Sequence, residues 1–333
     1  MIIIEASHTN FGGGYTLLIE LLTQLESKSF SNKVYTANKP VYDDLKKKNF
    51  RSSNIVLTNI VETLYRYTKK RERVIFFLSL PPFRTNKKSV VYFHNELILR
   101  YNKKNIKFFF YYIWLKYFIR NVDVIACQTN NIYNALKKIR PNKVLILPFF
   151  KKIEVIKEVN KKHVFCYISS GEKHKNLPQL FKAIKQLLNK YDVNLAVTIE
   201  DCKSNKVLIN EINKINENAN KSVIVNYGLV SKEKIIEIYS SSKALVFPSL
   251  FESLGLPLIE ANMCGIQVLS SNLSYSHELL NFPIVFNPNE PKDIAKTLEK
   301  FINGRFKDIK QTLKIDNKLD ELIEVLKINQ KNN

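Results

Sequence analysis

Short, apolar, β-branched runs alternate with longer helical patterns along the whole chain, and few architectures accept that alternation. In the first half the runs cover residues 2–5, 33–36, 54–57, 74–78, 90–93, 122–127 and 144–147; in the second, 163–168, 194–199, 222–227, 244–247, 267–270 and 283–286. A run that is apolar throughout is a strand buried on both faces, and strands separated by helices pair in parallel. The pattern predicts an α/β chain of two doubly wound units in sequence. At 333 residues the chain is long enough for two cores. The expected domains are 1–150 and 160–305, joined by a charged linker over 148–162 that lacks a core pattern. Residues 306–328 read as a last helix, with Leu313, Leu319, Leu322, Ile323 and Leu326 available for packing. Sheets of this kind bind ligands beyond the carboxyl ends of their strands, so chemistry is expected in a central cleft faced by both units.

Charge is uneven. Residues 1–160 carry 28 Lys plus Arg against 11 Asp plus Glu, whereas residues 161–333 carry 24 against 19. The first half therefore suits an anionic partner: nucleic acid, lipid headgroups or a phosphate-bearing substrate. The four cysteines have no paired spacing, which argues against a disulfide framework or a zinc site and fits a reduced, cytoplasmic setting. The apolar start 1–4 meets Glu5 too soon for a signal peptide and reads as a buried strand. The most apolar segment, 108–119, is interrupted by Lys116 and falls short of the ~20 residues that span a bilayer.

The most informative segment is 247–265, FPSLFESLGLPLIEANMCG. Pro257 suits the first turn of a helix, and residues 253–256 before it leave backbone N–H groups free at an end that attracts anions. Glu252 then lies in the entry loop and Glu260 about one turn into the helix. A ligand with phosphates on the N–H groups can offer hydroxyls to both carboxylates, and a nucleotide sugar has that layout. Two acids at this spacing alone would more often be solvated, but the whole string is more specific. It resembles the P-S-x-x-E-x-F/L-G-L-P-x-x-E-A-x-x-x-G signature of the retaining, GT-B fold glycosyltransferases of family 4. In that family a strand and a later Glu follow; here the strand is 267–272 and the acid Glu278.

Four further segments extend the resemblance. Gly12, Gly13 and Gly14 precede a helix expected from Tyr15 to Leu25. They are not the G-x-G-x-x-G fingerprint, so no nicotinamide or flavin cofactor is supported. They make either a tight turn or a loop that lets the backbone approach a phosphate or sugar. His94, with Asn95, sits at a strand's carboxyl end; a lone His is more often structural, but in similar enzymes this one touches the donor sugar. Residues 169–176, SSGEKHKN, resemble the loop whose Arg and Lys neutralise the leaving diphosphate; Lys175 matches the Lys. The Arg is replaced near Ser169 or Ser170, and Lys173 is its candidate substitute, though a point charge is not a bidentate fork. Residues 226–231 match a strand and loop in which Gly228 and Leu229 offer backbone groups to the nucleobase.

The resemblance implies a GT-B fold and a retaining sugar transfer from a nucleotide diphosphate sugar to a saccharide or lipid-linked acceptor, in the setting of bacterial surface polysaccharide. Glu260 would hold the ribose hydroxyls and Glu252 the donor sugar. Lys175, Lys173 and the amides of the Ser253, Leu254, Gly255 and Leu256 stretch would stabilise the diphosphate. No Asp-x-Asp motif occurs, so neither a metal nor a cofactor is expected. Two rivals are a nucleotide-sugar epimerase on the same fold and a non-catalytic sugar-binding or chaperone subunit. Residues 105–120 form an unusually aromatic helix with Lys103, Lys104, Lys107, Lys116 and Arg120 around it. It is either a core helix or a peripheral contact with an anionic membrane at the inner face of the cytoplasmic membrane. Nucleic-acid binding is disfavoured because none of the usual modules is recognisable.

Overall fold

The computed structural model describes residues 1–71, 73–77, 80–85, 88–99, 106–140, 143–154 and 159–327. Leu78, Lys103, Lys104, Asn105, the linker residues 155–158 and Ile328, all named above, lie outside that set. The chain divides into two units, 1–151 with 316–333, and 152–315.

The first unit is built on seven parallel strands, β1 (Ile2–Glu5), β2 (Asn32–Thr36), β3 (Ser53–Leu57), β4 (Val74–Phe77), β5 (Val90–Phe93), β6 (Val124–Cys127) and β7 (Val144–Ile146), in the order β3-β2-β1-β4-β5-β6-β7. Ile4 pairs with Val34 on one side and Ile75 on the other, and all three are fully buried, as central strands of such a sheet require. Six helices follow the strands: α1 (Gly13–Ser27), α2 (Lys39–Lys47), α3 (Ile60–Tyr67), α4 (Glu96–Leu99), α5 (Ile106–Phe118) and α6 (Asn130–Lys137). Leu17, Leu18, Leu21, Leu22 and Leu25 make one buried face of α1. Side chains of Asn38, Asn59 and Thr129 cap α2, α3 and α6, each accepting from the N–H three residues on. Tyr67 of α3, Leu115 of α5 and Leu136 of α6 share one core with Val91, Phe93 and Ile125, so these three helices cover the same face of the sheet. Beneath α3, Arg66 forms a buried two-pronged pair with Glu5, at 2.8 and 3.0 Å.

The second unit has six parallel strands, β8 (His163–Tyr167), β9 (Leu195–Val197), β10 (Ile224–Asn226), β11 (Ser242–Phe247), β12 (Gln267–Ser271) and, after the short β13 (Leu280–Asn281), β14 (Ile284–Phe286). Their order is β10-β9-β8-β11-β12-β14. Between them run α7 (Leu177–Leu187), α8 (Lys206–Ala219), α9 (Lys232–Ser240), α10 (Leu256–Met263) and α11 (Ser274–Leu279), and α12 (Pro291–Ile302) follows. In both sheets the chain starts in the middle, winds outward one way and then returns to wind outward the other. The direction reverses between β1 and β4 in the first unit and between β8 and β11 in the second. Such switch points leave a crevice at the strand ends.

The long helix expected over 306–328 is not continuous. Gly304, at φ 72°, ends α12; β15 (Thr312–Leu313) pairs antiparallel with β13, and Gln311 bonds to both backbone groups of Val268. Helix returns only as α13 (Leu319–Lys327), which belongs to the first unit. There the Lys318 N–H donates to Pro148 O at 2.8 Å, and Leu322 and Ile323 are fully buried. The four cysteines are unpaired; Cys127, Cys166 and Cys264 are buried and Cys202 is half-buried. Burial pushes the thiols of Cys166 and Cys264 up to about 12 and about 11. Among the described residues no helix is long and apolar enough to cross a membrane.

Because Leu322 is buried in the first unit, Leu322→Ala should cost about 2–5 kcal/mol by cavity formation. Urea unfolding of the full chain checks this; an unchanged transition would mean that α13 contributes no packing.

Candidate active site

At the switch point of the second unit, the loops after β8 and β11 are tied together by hydrogen bonds rather than by apolar packing alone. Tyr167, at the end of β8, donates its hydroxyl to Lys175 O at 2.9 Å. Gly171 has φ +89°, and a Cβ there would lie 2.7 Å from Asn205 Oδ1, so the loop admits only glycine at this turn. Residues 173–175 make one 3₁₀ turn, closed by Asn176 in the left-handed region at φ 59°. Its buried amide donates to Pro248 O at 3.2 Å and Pro288 O at 2.7 Å. His174 O accepts the Leu250 N–H at 2.8 Å, and the His174 ring stacks on Phe251 at 4.5 Å. Tyr275 donates to Ser249 O at 2.8 Å.

These ties bring Lys175 to Glu252: Nζ and Oε1 are 2.7 Å apart, with side chains only 16% and 12% exposed. Lys173, in the same turn, is exposed and is not drawn toward Glu252. Gly255 then takes φ 78°, ψ 49° as the residue before α10, and Pro257 occupies its first turn. Among the described residues the N–H groups of Ser253, Leu254 and Gly255 have no acceptor. They join the positive end of the α10 dipole. Leu256 is the first helical residue and Glu260 the fifth.

Glu260 is 9% exposed and is not free: Lys232 of α9 forms an ion pair with it, and the Tyr239 hydroxyl donates to Oε2 at 3.3 Å. Burial first, and the neighbouring carboxylate second, push the Tyr239 phenol well above its ordinary value, so it remains a donor. Sequence reading missed Lys232 because nothing in local spacing links it to a residue 28 positions away. Its only sequence signal is position: it follows Ser231, whose side chain caps α9. Gly228, at φ 67°, donates its N–H to Asn226 Oδ1 at 3.1 Å, while Leu229 is 82% exposed.

The remaining candidates belong to the first unit. Gly12, at φ 121°, precedes α1, while Gly13 and Gly14 form its first turn instead of a loop before it. His94 follows β5 and lines a cavity of about 340 Å³ with His8, Asn10, Asn95, Lys107 and Tyr111. Its Nδ1 is buried and has no partner among the described residues. Desolvation lowers the imidazole from 6.5 to about 4, against a smaller opposing effect of the Tyr92 backbone, so His94 is neutral near pH 7. His8 was not singled out in the sequence, and Lys107 only as a cation beside the aromatic helix; the fold brings both to His94. Among the described residues no three His, Cys, Asp or Glu side chains converge as a metal-ligand set.

Comparison with known proteins agrees with this architecture. Residues 149–325 match the family described as glycosyl transferases group 1, and the chain belongs to that family. Over 136 residues it is 29% identical to the serotype-specific mannosyltransferase WbdA of Escherichia coli, a stretch covering 39% of this chain and 16% of that one. It is 25% identical over 149 residues to the O-antigen chain mannosyltransferase RfbU of Salmonella typhimurium, covering 42% and 39%. Among solved structures, Anabaena Alr3699/HepE in complex with UDP and glucose aligns at TM-score 0.71 and 12% identity, over 99% of this chain and 97% of that one. WaaG, a glycosyltransferase involved in lipopolysaccharide biosynthesis, aligns at 0.68 and 13%, over 98% and 99%. The two parallel-sheet, Rossmann-like units are those of the GT-B fold.

Two measurements probe these placements. Gly255→Ala meets Leu279 Cδ1 at 3.1 Å and keeps a positive φ, so it should cost about 1–3 kcal/mol of stability. Denaturant unfolding that leaves the midpoint unchanged would contradict the left-handed turn. For His94, a depressed folded-state pKa means that its contribution is complete above 6.5 and is lost as pH falls toward about 4. The parent's melting temperature should therefore drop more steeply than that of His94→Asn across this window. Parallel profiles would show that the ring is not desolvated.

Proposed function

We propose that the protein is a retaining glycosyltransferase, moving a sugar from a nucleoside diphosphate donor to a saccharide or lipid-linked saccharide in surface polysaccharide synthesis. The observation that carries this reading is the Lys175–Glu252 pair beside the start of α10, with Glu260 one turn further on. Family membership and the O-antigen mannosyltransferases among its relatives support it, as do structural neighbours bound to UDP or UDP-glucose.

Each group has a part. Glu260 accepts the ribose hydroxyls, held by Lys232 and Tyr239. Glu252 accepts from the donor sugar. The diphosphate docks on the N–H groups of Ser253 to Gly255 and exchanges into the field of Lys175, with Lys173 at the exposed rim; backbone groups of Gly228 and Leu229 meet the base. As the anomeric C–O bond breaks, its electron pair leaves with the diphosphate. The acceptor hydroxyl oxygen bonds to the anomeric carbon on the same face and its proton passes to a leaving phosphate oxygen. Fixed positive charge at the leaving oxygens supplies electrostatic stabilisation without a metal ion. In the first unit, the cavity that His94 lines with His8 and Lys107 takes a substrate hydroxyl, and Gly13 and Gly14 let a phosphate or sugar approach the start of α1.

A thermal-shift screen of nucleotide sugars tests the reading. At least one donor should raise the melting temperature of the parent and not of Glu260→Ala. Lys175→Ala should lower donor turnover by about 10²–10³-fold, and a chelator should leave the parent's rate unchanged. If no donor distinguishes parent from Glu260→Ala, the role given to that carboxylate is wrong.

A further inference from the structure

In the loop after β8, Lys175 is the lysine that reaches the site, and Glu252 at 2.7 Å already balances its charge. Lys173 is exposed, and Ser169 and Ser170 bear no charge. A diphosphate docking here therefore brings more negative charge than this loop's inward lysine offsets. His174 lies between the two lysines in the same 3₁₀ turn. Its carbonyl accepts the Leu250 N–H at 2.8 Å and the Ser249 hydroxyl at 3.3 Å. Its ring stacks on Phe251, the residue before Glu252, with the ring planes 26° apart. Backbone and ring are both held against the loop after β11. The ring is half-buried, and among the described residues its nitrogens take part in no hydrogen bond.

Of these groups only the imidazole changes charge near neutral pH. In the free protein, burial first and the Lys175 ammonium second hold it below its ordinary value of 6.5. Glu252 from the loop after β11 and Glu172 from its own loop oppose them, and Lys173 is the remaining charged neighbour in that loop. The ring is therefore neutral at pH 7. An anion placed beside Lys175 cancels the repulsion of the ammonium and adds its own attraction, so both changes favour the charged ring. Stacking survives the change, because a cation is attracted to the face of an aromatic ring. The other histidines of the second unit lie elsewhere: His163 starts β8, at the opposite end of the sheet, and the exposed His277 is 2.7 Å from Asn272 Oδ1.

We propose that His174 is a further catalytic residue: when a nucleoside diphosphate docks beside Lys175, the ring takes up one proton from solvent, and the imidazolium donates to a phosphate oxygen as the second cation of the loop. It takes the part that the resemblance gives to an arginine near Ser169 or Ser170, with a charge that is present only while the diphosphate is bound. Without ligand, the site then holds Lys175 against Glu252 and no surplus buried cation. The inference rests on the transfer reading above, since it needs the diphosphate to occupy this loop.

Isothermal titration calorimetry of the full chain with UDP and with GDP, each near neutral pH in buffers of different ionisation enthalpy, counts the protons exchanged. Relative to His174→Phe, which keeps the stack, the parent should take up about half a proton or more per nucleotide bound. The difference between the two proteins removes the protons exchanged by the nucleotide's own phosphate. The parent's affinity relative to that variant should also rise about tenfold between about pH 8.5 and about pH 6. His174→Gln repeats the comparison without an aromatic ring, so a folding defect in one variant, read from its melting temperature, leaves the other to decide. Identical proton exchange in parent and variants overturns the inference and leaves the donor site standing. Failure of both nucleotides to bind overturns it together with the transfer reading.

Discussion

The side-chain amide of Asn176 joins three parts of the second unit at once. It closes the loop after β8 in a left-handed turn and donates to the carbonyls of Pro248 and Pro288, in the segments that follow β11 and β14. Proline carbonyls at these points have no strand partner, so a buried amide is the natural way to satisfy them. Once these segments are fixed, the neighbouring residue, Lys175, reaches Glu252 without searching many rotamers. Much of the entropy cost of a long lysine side chain meeting a carboxylate is thereby met by the loop itself. The candidate site is thus organised by backbone contacts, and the charged groups follow.

The two carboxylates of the site are in different situations, although sequence presents them as a matched pair. Glu252 lies in a loop and faces a lysine from the neighbouring loop. Glu260 lies on a helix and is held by Lys232 and Tyr239 from the preceding helix. Two cations and a phenol keep these buried acids from facing the low-dielectric interior unpaired. A ligand that uses both carboxylates therefore exchanges contacts instead of filling empty acceptors.

The architecture was largely legible because buried parallel strands are continuous apolar runs. All thirteen runs read as strands are strands, and in the described residues none is shortened by more than two residues at an end. The shortened ends, such as Asn194 and Ile199, still bond to neighbouring strands: Asn194 O accepts from the Phe165 N–H of β8, and the Ile199 N–H donates to the Asn226 side chain at the end of β10. The region after α12 was misread because Leu313 was counted into one helix with Leu319, Leu322 and Leu326, although separations of 6, 9 and 13 residues do not share a helical face. Leu313 instead pairs with Leu280 in a two-residue strand. The Lys175 and Glu252 loops were visible through their glycine, proline and charged residues. Lys232 and His8 were not, and Lys107 only as a cation beside the aromatic helix, since each gains its place at a site from a contact that the fold brings about.

Cys202 offers an unusual vantage point on this machinery. It begins the turn that carries Asn205, whose amide donates to Ser170 O and Glu200 O and whose oxygen closes over Gly171. The other three sulfurs are shut away in the interior, two of them held as unreactive thiols by their surroundings. A fluorophore coupled through the half-buried sulfur would therefore sit within one short turn of the lysine-bearing loop, at a position assigned to no ligand, and would register any rearrangement of that loop as a change in its own emission.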